Sequence, residues 1–275
     1  MKAGLDFGTT LVKAAWRPQD KFEYLTSKRQ EPKDLLVYLK NQGVTHISIT
    51  GINHRKYSSL LTDFSIESLP SPKELIEKEI ELQVQGTRYL IHEQNLNLEN
   101  FLLVSVGSGT SYTHVTKDDH HKELFGNPLG GGFIRGNLSI LDMINYEPTT
   151  LSHQPISLDI TMKDIIPELE KTLEGELVIA SMGKATQYST PLDIYAAITN
   201  TVATAIIRDI LKMSFLLESA NHNVIDTIIY LGTTITTTPT LRIQLEKYTN
   251  MVGKTCHFLK NGEYAGAIGA YLYNV

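Results

Sequence analysis

The stretch Gly4-Leu5-Asp6-Phe7-Gly8-Thr9-Thr10-Leu11-Val12-Lys13 decides how the rest of the chain is read. Residues 2–7 have the apolar character of a strand, and Leu11–Trp16 reads as a second one joined to it by a Gly-Thr-Thr turn. A tight turn opened by glycine exposes successive backbone N–H groups, and the flanking hydroxyls of Thr9 and Thr10 add donors. Together with Gly8 and Lys13 such a turn can cradle phosphate oxygens. Asp6, at the end of the first strand, suits Mg²⁺ held through water, because that ion takes carboxylates, waters and phosphates as ligands. Taken alone, an ordinary β-turn is the better account of these residues.

Two echoes change that balance. The apolar run Phe101–Val106 leads into Gly107-Ser108-Gly109-Thr110-Ser111, a similar turn without the aspartate. Two such hairpins facing each other across a cleft would clamp a polyphosphate, with Ser108, Gly109, Thr110 and Ser111 as the second set of donors. A third, related turn, Gly232-Thr233-Thr234, follows Ile228–Leu231, and the small residues of 262–270 suit close approach of a nucleoside. No G-x-x-x-x-G-K-[ST] occurs, nor a G-x-G-x-x-G opening a helix. Gly130, Gly131 and Gly132 before Phe133 read instead as a glycine-rich entry to a helix, a natural anion site.

Working outward, Phe22–Thr26 reads as a third strand, Lys33–Asn41 as a helix stopped at Gly43, and Ile47–Thr50 as a strand ending in Gly51. The order recurs after residue 100: strands at Phe101–Val106 and through Val115, one at His121–Phe125, and a helix at Phe133–Ile144. This is a duplicated α/β architecture with mixed sheets, divided at 1–95 and 96–275. Pro72–His92 would be a helix bridging the halves, and Pro191–Leu217 is the longest helical stretch. Residues 147–175 are polar and weakly periodic.

With 275 residues, 41% hydrophobic and 20% charged, the chain is an ordinary globular protein long enough for substantial cores. A net charge of −5 offers no basic stripe for nucleic acid. The single cysteine, Cys256, cannot form an internal disulfide and reads as a small buried apolar residue in a reducing compartment. The N-terminus lacks an apolar leader and no window approaches eighteen consecutive apolar residues, so the cytoplasm is the expectation and a membrane is not.

Phosphoryl transfer to an alcohol needs a carboxylate that positions the hydroxyl and accepts its proton. Glu74, Glu77, Glu79 and Glu81 offer four candidates on one predicted helix, and the residues alone do not choose between them. His120 and His121 after Asp118-Asp119 lack further spaced ligands and read as a loop.

In order and spacing these segments resemble the type II pantothenate kinases, in their short bacterial form, over nearly the whole chain. The resemblance is carried by Asp6–Lys13, Thr50-Gly51, Glu79–Gly86, Val106–Ser111, Gly130–Gly136, Ser181–Gly183, Tyr230–Thr234 and Asn261–Ala270. It implies the duplicated ribonuclease H-like fold of the actin-like ATPases, with mixed β-sheets flanked by helices. It implies ATP and Mg²⁺ as cofactors, pantothenate or an analogue as acceptor, and a homodimer. The family pattern Glu-x-Asp-x-x-x-Gln-Gly falls on Glu79–Gly86, which makes Glu79 the catalytic base and puts Glu81 where the family has aspartate. Gly8, Thr9, Thr10 and Lys13 match the first phosphate loop, Ser108 to Ser111 the second, Gly232, Thr233 and Thr234 the nucleotide-side turn, and Gly183 a further nucleotide position. In the family an arginine lies seven residues before the triple glycine and is expected to hold the pantothenate carboxylate; here that position is Glu123. The exchange turns attraction into repulsion and removes the bidentate fork. Two other readings therefore stand beside it: a kinase of the same fold acting on another small alcohol, and a non-catalytic ATP-binding protein.

Overall fold

The computed structural model describes residues 1–27, 31–68, 74–117, 121–146, 157–219 and 225–273. The chain forms two compact units that are not consecutive halves. The first takes Met1–Leu103, Thr113–Glu123 and Phe258–Val275; the second takes Val104–Tyr112 and Leu124–His257.

The first unit is built on β1 (Lys2–Phe7), β2 (Val12–Trp16), β3 (Glu23–Thr26), α1 (Lys33–Asn41), β4 (His46–Thr50), β5 (Ser65–Ser68) and α2 (Leu75–Glu93). Its sheet runs in the order β3-β2-β1-β4-β5. The central strand β1 pairs antiparallel with β2 and parallel with β4, so the sheet is mixed. Ala3, Leu5 and Phe7 on β1 are wholly buried, and Leu35, Leu36 and Leu39 of α1 join their core with Ile47 and Ile49. Burial of each large apolar side chain contributes about 1.5–3 kcal/mol. The helix α1 carries Asp34 in its first turn and Lys40 in its last, charges that complement its dipole.

The second sheet has the order β12-β11-β6-β7-β8, from β6 (Phe101–Val106), β7 (Thr110–Val115), β8 (His121–Asn127), β11 (Thr227–Leu231) and β12 (Thr255–Phe258). Read from its far edge, this repeats the first sheet strand for strand in chain order. Between β8 and β11 come α3 (Gly131–Ile140), the short pair β9 (Ile160–Thr161) and β10 (Val178–Ala180), α4 (Met162–Ile165) and α5 (Pro191–Ser219). After β11 follow α6 (Thr233–Thr237) and α7 (Pro239–Met251), and α8 (Ala265–Leu272) returns to the first unit. By length and composition α5 could cross a membrane, but 72% of its apolar window is buried inside the protein. A helix that is apolar nearly all round belongs in a core.

Several elements depart from the sequence reading. The helix after the triple glycine begins at Gly131 and ends at Ile140. The third turn, at Gly232, leads directly into the short helix α6. The bridging helix belongs to the first unit, where Gly86 and Gly269 let α2 and α8 touch backbone to backbone. A Cβ on Gly86 would fall 1.9 Å from the Ala265 carbonyl oxygen, and one on Gly269 1.8 Å from that of Leu82. Residues 147–156, and Asp118, Asp119 and His120, lie outside the described residues.

Candidate active site

In the first unit the antiparallel register puts Asp6 directly opposite Lys13, and the ammonium lies 3.3 Å from Asp6 Oδ2. Both side chains are largely buried at the open end of the turn. The N-terminal turns of α8 run against the same carboxylate: a Cβ on Gly266 would sit 3.1 Å from Asp6 Oδ2. Because α2 is pressed onto α8, the helix that carries Glu79 is fixed relative to Asp6 by backbone contact.

The structure separates Glu79 from its three neighbours. Glu74 and Glu77 are exposed, and Glu81 is engaged by the Lys78 ammonium at 2.8 and 2.9 Å. Glu79 instead feels Asp6, Lys13 and Glu123, and its carboxyl is raised to about 7. Burial is the main cause; the Asp6 charge adds to it, Lys13 opposes it, and Glu123 raises it further. A carboxylate poised near neutrality suits a general base. The arrangement also suits Mg²⁺: one buried carboxylate, Asp6, with the remaining positions left to water and phosphate, is a donor set that ion takes.

Sequence reasoning missed Asn53. Its amide nitrogen donates to the Gly8 carbonyl at 3.2 Å, bracing the first turn from the segment that follows β4. The nearest sequence signal was Thr50-Gly51, where Gly51 takes φ 90°.

In the second unit the turn after β6 is braced more fully. Gly107 N–H donates to Gly109 O at 2.8 Å, Gly131 N–H to Gly107 O at 2.8 Å, and Gly132 N–H to Ser108 O at 2.9 Å. The triple glycine was expected to be an anion site at a helix N-terminus. Two of its amides are spent on the turn instead, so Gly130, Gly131 and Gly132 buttress the turn by close approach. Thr110 Oγ1 donates to Leu129 O at 2.8 Å, and Asn127 caps Leu129 N–H at 2.8 Å. Asn127 Nδ2 in turn donates to buried Asp209 on α5 at 2.6 Å, beside the Tyr112 hydroxyl at 3.2 Å. Burial and the Asp209 charge push that phenol far above its usual range.

Thr234 was expected at the nucleotide, but its hydroxyl donates to Gly107 O at 2.8 Å and the residue is buried. Gly183 lies in a separate turn after β10, where Asp159 Oδ1 accepts from Met182 N–H at 2.7 Å. The described residues hold no cluster of three or more histidine, cysteine or acidic side chains fit for a metal.

The Fumble family model matches residues 36–273. The chain is 32% identical to the type II pantothenate kinase of Bacillus anthracis, over 98% of this chain and 96% of that one. The chain belongs to the type II pantothenate kinase family. It is 31% identical to the enzyme of a Bacillus cereus strain over the same shares, and 26% identical to that of Staphylococcus haemolyticus over the full length of both. Among solved structures, component A of (R)-2-hydroxyglutaryl-CoA dehydratase from Acidaminococcus fermentans superposes with a TM-score of 0.58 at 15% identity, covering 99% of this chain and 96% of that one. These likenesses show the fold, the duplicated α/β architecture of the actin-like ATPases.

Proposed function

We propose that this protein phosphorylates pantothenate with ATP, making 4'-phosphopantothenate in the first step of coenzyme A synthesis. The observation that carries the reading is Glu79, a carboxylate raised to about 7 beside Asp6 and Lys13, on the helix segment that matches the family pattern. In this reading the Glu79 carboxylate accepts the proton of the primary hydroxyl as its oxygen bonds to the γ-phosphorus and the bond to the bridging oxygen of ADP breaks. Asp6 would hold Mg²⁺ through water; the ion neutralises charge on the phosphates when bound. Lys13, Gly8, Thr9 and Thr10 supply phosphate contacts in the first unit, and Ser108, Gly109, Thr110 and Ser111 supply them in the second. Gly232, Thr233 and Gly183 stand as nucleotide positions by resemblance. The same reading makes the protein a cytoplasmic homodimer with neither nucleic acid nor membrane as partner. The exposed apolar trio Leu211, Phe215 and Leu216 near the end of α5 supports the dimer.

Glu123 supports a second reading of the acceptor. It adds a negative charge within electrostatic reach of Glu79, where the family places a carboxylate-binding arginine. An acceptor lacking the carboxylate, such as an N-substituted pantothenamide, would then be used better than pantothenate.

Mass-spectrometric detection of phosphorylated product from ATP and each acceptor tests both. Product from pantothenate at rates above the amide supports the first reading, and restored preference for pantothenate in Glu123→Arg supports the second. Bound ATP with product from no alcohol would leave a non-catalytic ATP-binding protein.

A further inference from the structure

The two phosphate turns are held by one and the same device, and we propose that Asn53 and Thr234 are its paired positioning residues. The inference rests on reading both turns as phosphate sites.

In the first unit, β4 ends at Thr50 and the next residue, Gly51, has φ 90°. In the second, β11 ends at Leu231 and Gly232 follows with φ 106°. Both dihedrals lie where a side chain is strained and glycine is not. Each glycine lies flat on the last residue of the neighbouring strand. A Cβ on Gly51 would fall 2.5 Å from the Phe7 carbonyl oxygen, and one on Gly232 2.3 Å from that of Val106. Two residues beyond each glycine stands a side-chain donor. Asn53 Nδ2 reaches the Gly8 carbonyl at 3.2 Å, and Thr234 Oγ1 reaches the Gly107 carbonyl at 2.8 Å. Gly8 and Gly107 are the first residues of the two turns, each immediately after its strand.

The consequence follows from the peptide bond. In a planar trans peptide the C=O and N–H of one unit point in opposite directions, and none of the described bonds is cis. Fixing the Gly8 carbonyl toward Asn53 therefore aims the Thr9 N–H the opposite way, and fixing the Gly107 carbonyl between Thr234 and the Gly131 N–H does the same for the Ser108 N–H. Each latch sets the direction of a donor before any phosphate arrives, which removes an ordering cost from binding. Neither Asn53 nor Thr234 needs to touch the nucleotide. Thr234 has its hydroxyl already committed, so a positioning role replaces the ligand role expected of it.

The test is ATP affinity by calorimetry on the full chain, with acceptor KM and the thermal midpoint measured alongside. Thr234→Val keeps the volume and removes the donor, and it should weaken ATP roughly 3- to 10-fold, with Thr234→Ser restoring it. Asn53→Ala, at a partly exposed site, should weaken ATP about 2- to 5-fold, and the double variant should multiply the two effects. Acceptor KM should hold in all of them. Unchanged ATP affinity with only a lowered thermal midpoint overturns the proposal, as does a serine variant no better than valine. Should Thr234→Val not fold, Asn53→Ala and Thr234→Ser decide the matter by the same readout. Wild-type protein that binds no ATP would instead sink the phosphate-site reading on which the latch depends.

Discussion

The turn after β1 and the turn after β6 occupy equivalent places in two sheets of the same order, yet the strands flanking the first carry an aspartate and a lysine and those flanking the second carry neither. The first has Asp6 and Lys13 on its flanking strands and Glu79 on the helix pressed against α8. The second has no charged side chain within Gly107–Ser111, and it is cross-braced by the amides of Gly131 and Gly132. The repeat therefore duplicates a backbone scaffold while the Asp6–Lys13 pair is added to the strands of one copy only. In the proposed function the first copy moves the proton and holds the metal, and there a carboxyl is shifted by burial and by its charged neighbours. In the same proposal the second copy only binds phosphate oxygens, for which rigid backbone donors suffice.

The largest effect should come from the charged copy. Glu79→Gln should lower turnover by about 10²–10⁴-fold with ATP affinity nearly unchanged, read by a coupled assay and calorimetry. The same variant should be more stable at alkaline pH. The folded-state pKa of about 7 lies above the unfolded value, so the stabilisation is present below about pH 4 and is lost as pH rises through 7. At pH 8 the ionised, largely buried Glu79 costs on the order of 3 kcal/mol, which glutamine removes. The thermal midpoint should rise at pH 8 and hardly move at pH 4.

Next in size are two glycine substitutions that attack the copies separately. A methyl at Gly131 would lie 2.3 Å from Thr234 Oγ1 and 3.0 Å from Gly107 O. Gly131→Ala should therefore raise the KM for ATP about tenfold or more and leave the pH dependence alone. A methyl at Gly266 would lie 3.1 Å from Asp6 Oδ2, a tight contact that a carboxylate can partly relieve by turning. Gly266→Ala should lower kcat several-fold and move the acid limb of the pH profile, because Asp6 is the main charge acting on Glu79. Equal and identical effects from both substitutions would erase the distinction between the copies. The smallest change is Glu123→Gln. Glu123 is the weakest of the three charges acting on Glu79, and its removal should shift the acid limb slightly toward lower pH.

Much of the scaffold was legible in the sequence because apolar strand runs end in small-residue turns. Lys33–Asn41 and Phe101–Val106 have in the structure the bounds that their sequence pattern predicts. The pairing of Asp6 with Lys13 was not legible: a strand begun at Leu11 would set Asp6 opposite Val12, whereas β2 begins at Val12 and the register moves by one. The weave of the chain was not legible. That the last helix returns to the first unit depends on glycines at 86 and 269 meeting across residues far apart in sequence, and local pattern carries no such information. Glu79 could not be told from Glu74, Glu77 and Glu81 by periodicity, because what distinguishes it is burial beside Asp6. The hydrogen bonds of Gly131, Gly132 and Thr234 were likewise invisible, so residues suited to binding phosphate read as ligands although their donors face inward.

The central claim, that the first turn is the charged copy because it holds a base tuned by its surroundings, is tested most directly by the pH dependence of kcat/KM for the acceptor. Measured from about pH 5 to pH 9 on the wild-type protein, it should rise to a plateau with a midpoint at about 7. A flat profile over that range, or a midpoint at the ordinary carboxylate value of about 4, would contradict it.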